Sequence, residues 1–139
     1  MPPLNQLCYD GKREEVRSAL AHGGNVNDKD SIGHTALMWA VINGHNSIVK
    51  LLLDQPGVRI NEKSIRGNTA LHFAVLCNNP EGARMLLLHP DINSPNSTDD
   101  NGDTALMMAV RWRKKEVLVE LVKHQSISLD MPEGVFDER

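Results

Sequence analysis

Gly33-His34-Thr35-Ala36-Leu37-Met38-Trp39-Ala40-Val41 returns as Gly67-Asn68-Thr69-Ala70-Leu71-His72-Phe73-Ala74-Val75, and again as Gly102-Asp103-Thr104-Ala105-Leu106-Met107-Met108-Ala109-Val110. The threonines lie 34 and then 35 residues apart. Two further markers keep the same step. Asn27, Asn61 and Asn96 each stand six residues before the glycine, and an apolar block follows each copy, in 47–53, 81–87 and 116–122. A period in this range marks a stack of units, none of which buries its apolar faces alone. A weaker copy opens the chain: Gly11 matches Gly44 at a spacing of 33, and Glu15-Val16-Arg17-Ser18-Ala19-Leu20 matches the apolar block. The reading is one domain over 1–139, with a partial first unit at about 4–30, full units at 31–63, 64–98 and 99–131, and a tail at 132–139.

Each part of the unit has a physical reason. Gly33, Gly67 and Gly102 suit a tight turn that needs positive φ. Thr35, Thr69 and Thr104 follow where a hydroxyl can accept from the first amides of a helix. Small residues at Ala36, Ala40, Ala70, Ala74, Ala105 and Ala109 let that first helix pack closely, and Gly44 can end it in a left-handed cap. The second helix carries apolar residues at helical spacing, as in Val49, Leu52 and Leu53. The asparagines begin the loop to the next turn. Each buried Leu or Val contributes roughly 1.5–3 kcal/mol, most of it only once units stack.

The unit resembles the ankyrin repeat, whose signature reads Gly-x-Thr-Pro-Leu-His at the start of the first helix, and the resemblance covers the chain from about Leu4 to Leu129. It implies an all-α solenoid of stacked helix-turn-helix units joined by β-hairpin-like turns. Three departures bear on the stack. Ala36, Ala70 and Ala105 replace the proline, which costs nothing because alanine starts helices well. The histidine survives only at His72, with Met38 and Met107 elsewhere, so weaker knitting between units is expected there. The glycine that ends the first helix becomes Asn78 and then Arg113, and Arg113 is expected to turn with strain or a different geometry. Extra loop residues stand around Gln55-Pro56-Gly57 and Ser94-Pro95-Asn96.

The resemblance also implies a protein-interaction scaffold, adaptor or inhibitor whose partner docks in the concave groove made by the turn tips and first helices. Carried over position by position, the tips are Ser31, Ile32 and His34; Ile65, Arg66 and Asn68; and Asp100, Asn101 and Asp103. The exposed ends of the first helices are Tyr9-Asp10, Ile42-Asn43, Leu76-Cys77 and Arg111-Trp112. Tyr9, Ile42, Leu76 and Arg111 occupy one slot in successive units and should line up along the groove, where apolar side chains suggest a contact strip. Burial under the adjoining turn is the other reading. The run Arg111-Trp112-Arg113-Lys114-Lys115 suits a solvated turn or an acidic protein partner, whereas Asp99, Asp100 and Asp103 form an acidic tip that would favour a basic one.

Composition excludes several classes. With 40% hydrophobic and 24% charged residues the 139-residue chain should fold, and with 4% aromatics its core must be aliphatic. A net charge of −3 gives no bulk attraction to nucleic acid or anionic lipid, which disfavours RNA capture by Arg111 and Trp112. The six histidines, His22, His34, His45, His72, His89 and His124, have no metal-ligand spacing, and Cys8 and Cys77 lack a neighbouring base. The glycines form no phosphate loop. No apolar run is long enough for a membrane span, and the start of the chain lacks the pattern of a secretory signal. The expectation is a monomeric, non-enzymatic protein of the cytoplasm or nucleus, with no cofactor or metal and with a protein as partner. A regulatory segment of a larger polypeptide is the alternative.

Overall fold

The computed structural model describes residues 3–92, 95–124 and 127–129. These form eight helices: α1 (Leu4–Asp10), α2 (Arg13–Ala21), α3 (Ala36–Ile42), α4 (Asn46–Leu53), α5 (Ala70–Leu76), α6 (Pro80–Leu88), α7 (Ala105–Arg111) and α8 (Lys115–Val122). Consecutive helices pair as hairpins. The odd-numbered helices touch one another in the row α1, α3, α5, α7, and the even-numbered ones in the row α2, α4, α6, α8. The result is the all-α solenoid of stacked helix pairs. None of these helices is long and apolar enough to cross a membrane.

The odd-numbered helices begin as the threonines require. The hydroxyls of Thr35, Thr69 and Thr104 accept from the amides of Met38, His72 and Met107 at 3.2–3.3 Å. They end in a left-handed residue, Gly11, Gly44, Asn78 or Arg113, with φ between 50° and 74°. In each case the next amide reaches back five residues, as in His45 to Ala40 and Lys114 to Ala109, both at 2.9 Å. Arg113 therefore adopts the same turn as the glycines rather than a different one, and carries the steric strain of its Cβ in that region. The six alanines are essentially inaccessible, and the odd-numbered helices that carry them touch one another. Only small side chains let the backbones approach this closely.

Between helix pairs the chain makes the same turn three times. Asp30, Ser64 and Asp99 each donate their amide to the carbonyl four residues on, in His34, Asn68 and Asp103, and accept from the glycine three residues on. Among the described residues this produces no extended strand, only an antiparallel bridge from Lys29 to Thr35. The asparagines do more than open a loop. Asn27 donates to the Gly57 carbonyl and accepts from the Arg59 amide, Asn61 donates to the Asp91 carbonyl, and Asn96 accepts from the Ser128 amide. Each thus ties its own repeat to the next, and Lys29 and Lys63 repeat the device by donating to the carbonyls of Lys63 and Thr98.

His72 knits two repeats. Its Nδ1 accepts from the Thr69 amide at 3.1 Å, and its Nε2 donates to the Asp103 carbonyl at 2.9 Å. Burial pushes the imidazole below its ordinary value, partly offset by that carbonyl. At Met38 a sulfur takes the first role, accepting from the Thr35 amide at 3.4 Å, but a thioether has no proton for the second.

Candidate partner-binding face

The ends of the odd-numbered helices and the turn tips lie close together because their side chains bond across. The indole N–H of Trp39 in α3 donates to Asp30 in the first turn at 2.7 Å, and Arg111 in α7 pairs with Asp103 in the third at 2.6 Å. His34 stands edge-on between Trp39 and Phe73, with centroids 4.6 and 4.9 Å away. A depression of about 350 Å³ opens beside it, between the first two turns, lined in part by Ile32, Ile65, Arg66, Asn68 and Phe73.

The slot predicted to form a stripe lies two residues before the left-handed turn in each repeat, but it is uneven. Tyr9 and Leu76 are 47% and 40% exposed, whereas Ile42 is half-buried and packs against the core. Arg111 is exposed yet held by Asp103. Beside them, Asp10 accepts from the Gln6 side-chain Nε2, Asn43 donates to the Tyr9 carbonyl, and Cys77 and Trp112 are exposed. At the tips, Ser31, Ile32, Ile65, Arg66, Asp100 and Asn101 are exposed, Ile65 most of the apolar ones at 69%, and His34 and Asn68 are half-buried.

The acidic tip needs correction. Asp103 is only 7% exposed and Asp99 is buried too. Asp99 accepts from the amides of Asn101 and Asp103, closing its own turn, and the Asp103 carboxylate is taken by Arg111. Asp100 alone of the three presents a carboxylate outward. Ile42 likewise owes part of its apolar character to the core.

Sequence reasoning passed over Trp39, Asp30 and Phe73. Their signal lay in the register: Trp39, Phe73 and Met108 share one slot, and Asp30, Ser64 and Asp99 another, so two of the few aromatics face neighbouring turns. Burial opposes ionisation of Asp30, but hydrogen bonds from the Trp39 indole and the amides of His34 and Ile32 outweigh it and hold the carboxyl below its usual range. Burial also lowers the His34 imidazole against the pull of Asp30. Both cysteines are free thiols. Burial pushes Cys8 up to about 12, and it raises Cys77 as well despite the nearby Lys114. Among the described residues no group of three His, Cys, Asp or Glu side chains could hold a metal ion.

Comparison with known proteins agrees with this architecture. A family model of ankyrin repeats in three copies matches residues 4–96 and 59–133. Osteoclast-stimulating factor 1 of Monopterus albus is 36% identical over 56 residues, 40% of this chain and 26% of that protein. The same factor from Rattus norvegicus is 39% identical over 56 residues, and Rabankyrin-5 of Mus musculus is 36% identical over 56 residues, there only 5% of the relative. The matched stretch thus spans about a quarter of the factor and a small part of Rabankyrin-5.

Proposed function

Since the chain belongs to the ankyrin-repeat family, whose repeats generally mediate protein–protein interaction, we propose that it holds a partner protein along the concave side formed by its turn tips and odd-numbered helices, and that it catalyses no reaction. The observation that carries this reading is the set of large apolar side chains that the core does not use. Of the nine such side chains exposed among the described residues, five, Tyr9, Ile32, Ile65, Leu76 and Trp112, stand at the tips and helix ends. Exposed apolar side chains grouped on one face mark interaction surfaces, and Tyr and Trp are frequent anchors of such contacts. Two free thiols suit a reducing compartment, so the cytoplasm or nucleus is its place of action.

The test is affinity capture from a lysate with wild type and an Ile65→Asp, Leu76→Asp double variant. Both positions are exposed, unlike Ile42, so thermal stability should be unchanged. A protein retained by wild type and lost by the folded variant supports the face. Equal capture by both sinks it.

A second reading has some support from the relatives, in which the matched stretch is a minor part of a longer chain. In that reading the stack is the positioning segment of a larger polypeptide. Immunoblotting the native product from its source would decide, since a band near 15.4 kDa is what the free module requires.

A further inference from the structure

A depression of about 270 Å³ lies between α1, α3 and the first turn, lined by Pro3, Asn5, Gln6, Tyr9, Asp30 and Trp39. Two of its lining side chains are aromatic. The Tyr9 and Trp39 rings touch edge to face, with centroids 5.2 Å apart and planes at 74°, and form one continuous aromatic wall. Trp39 is fixed in place, because its N–H is held by Asp30 and His34 packs edge-on beside it. Asp30 is fixed in turn, its second oxygen accepting from the amides of Ile32 at 3.1 Å and His34 at 2.9 Å. The Asn5 side chain clamps α1 to the turn by donating to the His34 carbonyl at 3.0 Å. The walls are therefore preorganised, and ordering them on binding costs little.

The chemistry of the lining is selective. Asp30 brings a carboxylate, held in place by its three hydrogen-bond donors. No lysine, arginine or histidine stands among the lining residues, and Asp10 adds a second carboxylate nearby through Gln6. Donating its N–H to an anion enriches the indole face in electron density, which strengthens its attraction for a cation. An apolar occupant gains nothing from the Asp30 carboxylate, and an acidic one would be repelled by it. The volume falls just below the ~300–1,000 Å³ of small-molecule sites, a size that suits one side chain.

We propose that this depression receives a lysine or arginine side chain of the partner, its cation held against the aromatic wall made by Tyr9 and Trp39 and beside Asp30. The inference rests on the reading of this face as the partner-binding surface and adds the chemistry of one contact. It also sets a direction. The basic residues Lys114 and Lys115 lie at the other end of the row, so the partner's basic side chain meets the N-terminal end of the stack.

The experiment is a titration of the isotope-labelled full chain with four capped pentapeptides, glycine throughout except for a central lysine, arginine, norleucine or glutamate. The indole N–H resonance of Trp39 is followed against that of Trp112. The lysine and arginine peptides should move the Trp39 signal saturably and leave Trp112 still, while norleucine and glutamate move neither. Tyr9→Leu and Asp30→Asn should weaken the lysine peptide about fivefold or more, with Tyr9→Phe unaffected and the thermal midpoints of all three compared with wild type. An equal response to norleucine, or no response to any peptide, overturns the inference. If partner capture depends on Ile65 and Leu76 while the lysine peptide leaves Trp39 unmoved, this inference fails and the binding face stands. If capture ignores Ile65 and Leu76, the face fails, and a saturable lysine response still supports the pocket.

Discussion

His72 shows how much one side chain can decide. It accepts within its own helix start and donates to the next repeat from a buried position, a pair of roles its counterparts Met38 and Met107 cannot both fill. Because burial depresses its folded-state pKa, the folded chain binds a proton there less readily than the unfolded chain. Its stabilising contribution is complete above the unfolded value near ~6.5 and is lost as pH falls through that value toward the folded one. His72→Met should therefore cost about 1–2 kcal/mol at pH 7.5 through the lost bond to Asp103, and the deficit should shrink by pH 5. Urea denaturation of both chains at the two pH values measures this. His34 is also depressed but is common to both chains, so it cancels in the difference. A deficit that does not change with pH would place the acid sensitivity elsewhere.

At the scale of the element, the left-handed residue that links each helix pair is the weak point. Glycine fills it in the first two repeats, asparagine in the third and arginine in the fourth, all with the same backbone bonds. A side chain with a Cβ in this region costs about 1–2 kcal/mol, whereas asparagine is tolerated better. Arg113→Gly should accordingly stabilise the protein by about 1 kcal/mol after the greater freedom of glycine in the unfolded chain is set against the relief. The readout is the urea midpoint. A loss instead of a gain would show that the Arg113 side chain holds something worth more than the strain. The asparagine ties between repeats are the other element-scale device, since they satisfy loop carbonyls and amides that no strand pairs.

The whole molecule is held by close approach along the odd-numbered row. Ala74 is inaccessible in α5, which touches α3 on one side and α7 on the other. Ala74→Leu should destabilise by about 1–3 kcal/mol, because a packed interface can admit the added carbons only by moving a whole repeat. Leu88→Ala, at a 72% exposed position, is the control and should change thermal stability little. Calorimetry on the two variants compares them directly. If Ala74→Leu is neutral, the stack slides more easily than its packing implies. The same rigidity matters to function, because a partner-binding face spread over several repeats keeps its shape only if the repeats do not shift.

The repeat, the helix pairs, their threonine starts, their left-handed ends and the buried alanines were all legible in the sequence. Each depends on residues a few positions apart, and the 34-residue step then copies the local answer along the chain. Which polar tips remain available was not legible. Asp99, Asp100 and Asp103 look alike as letters, yet only Asp100 faces outward, because Arg111 and two backbone amides claim the others. Ile42 and Leu76 share a slot but not an exposure. The Tyr9–Trp39–Asp30 depression likewise joins side chains from two repeats. Periodicity fixes which positions are neighbours; packing fixes where each side chain points and which partner reaches it first, and so the tertiary structure alone decided the chemistry of the face.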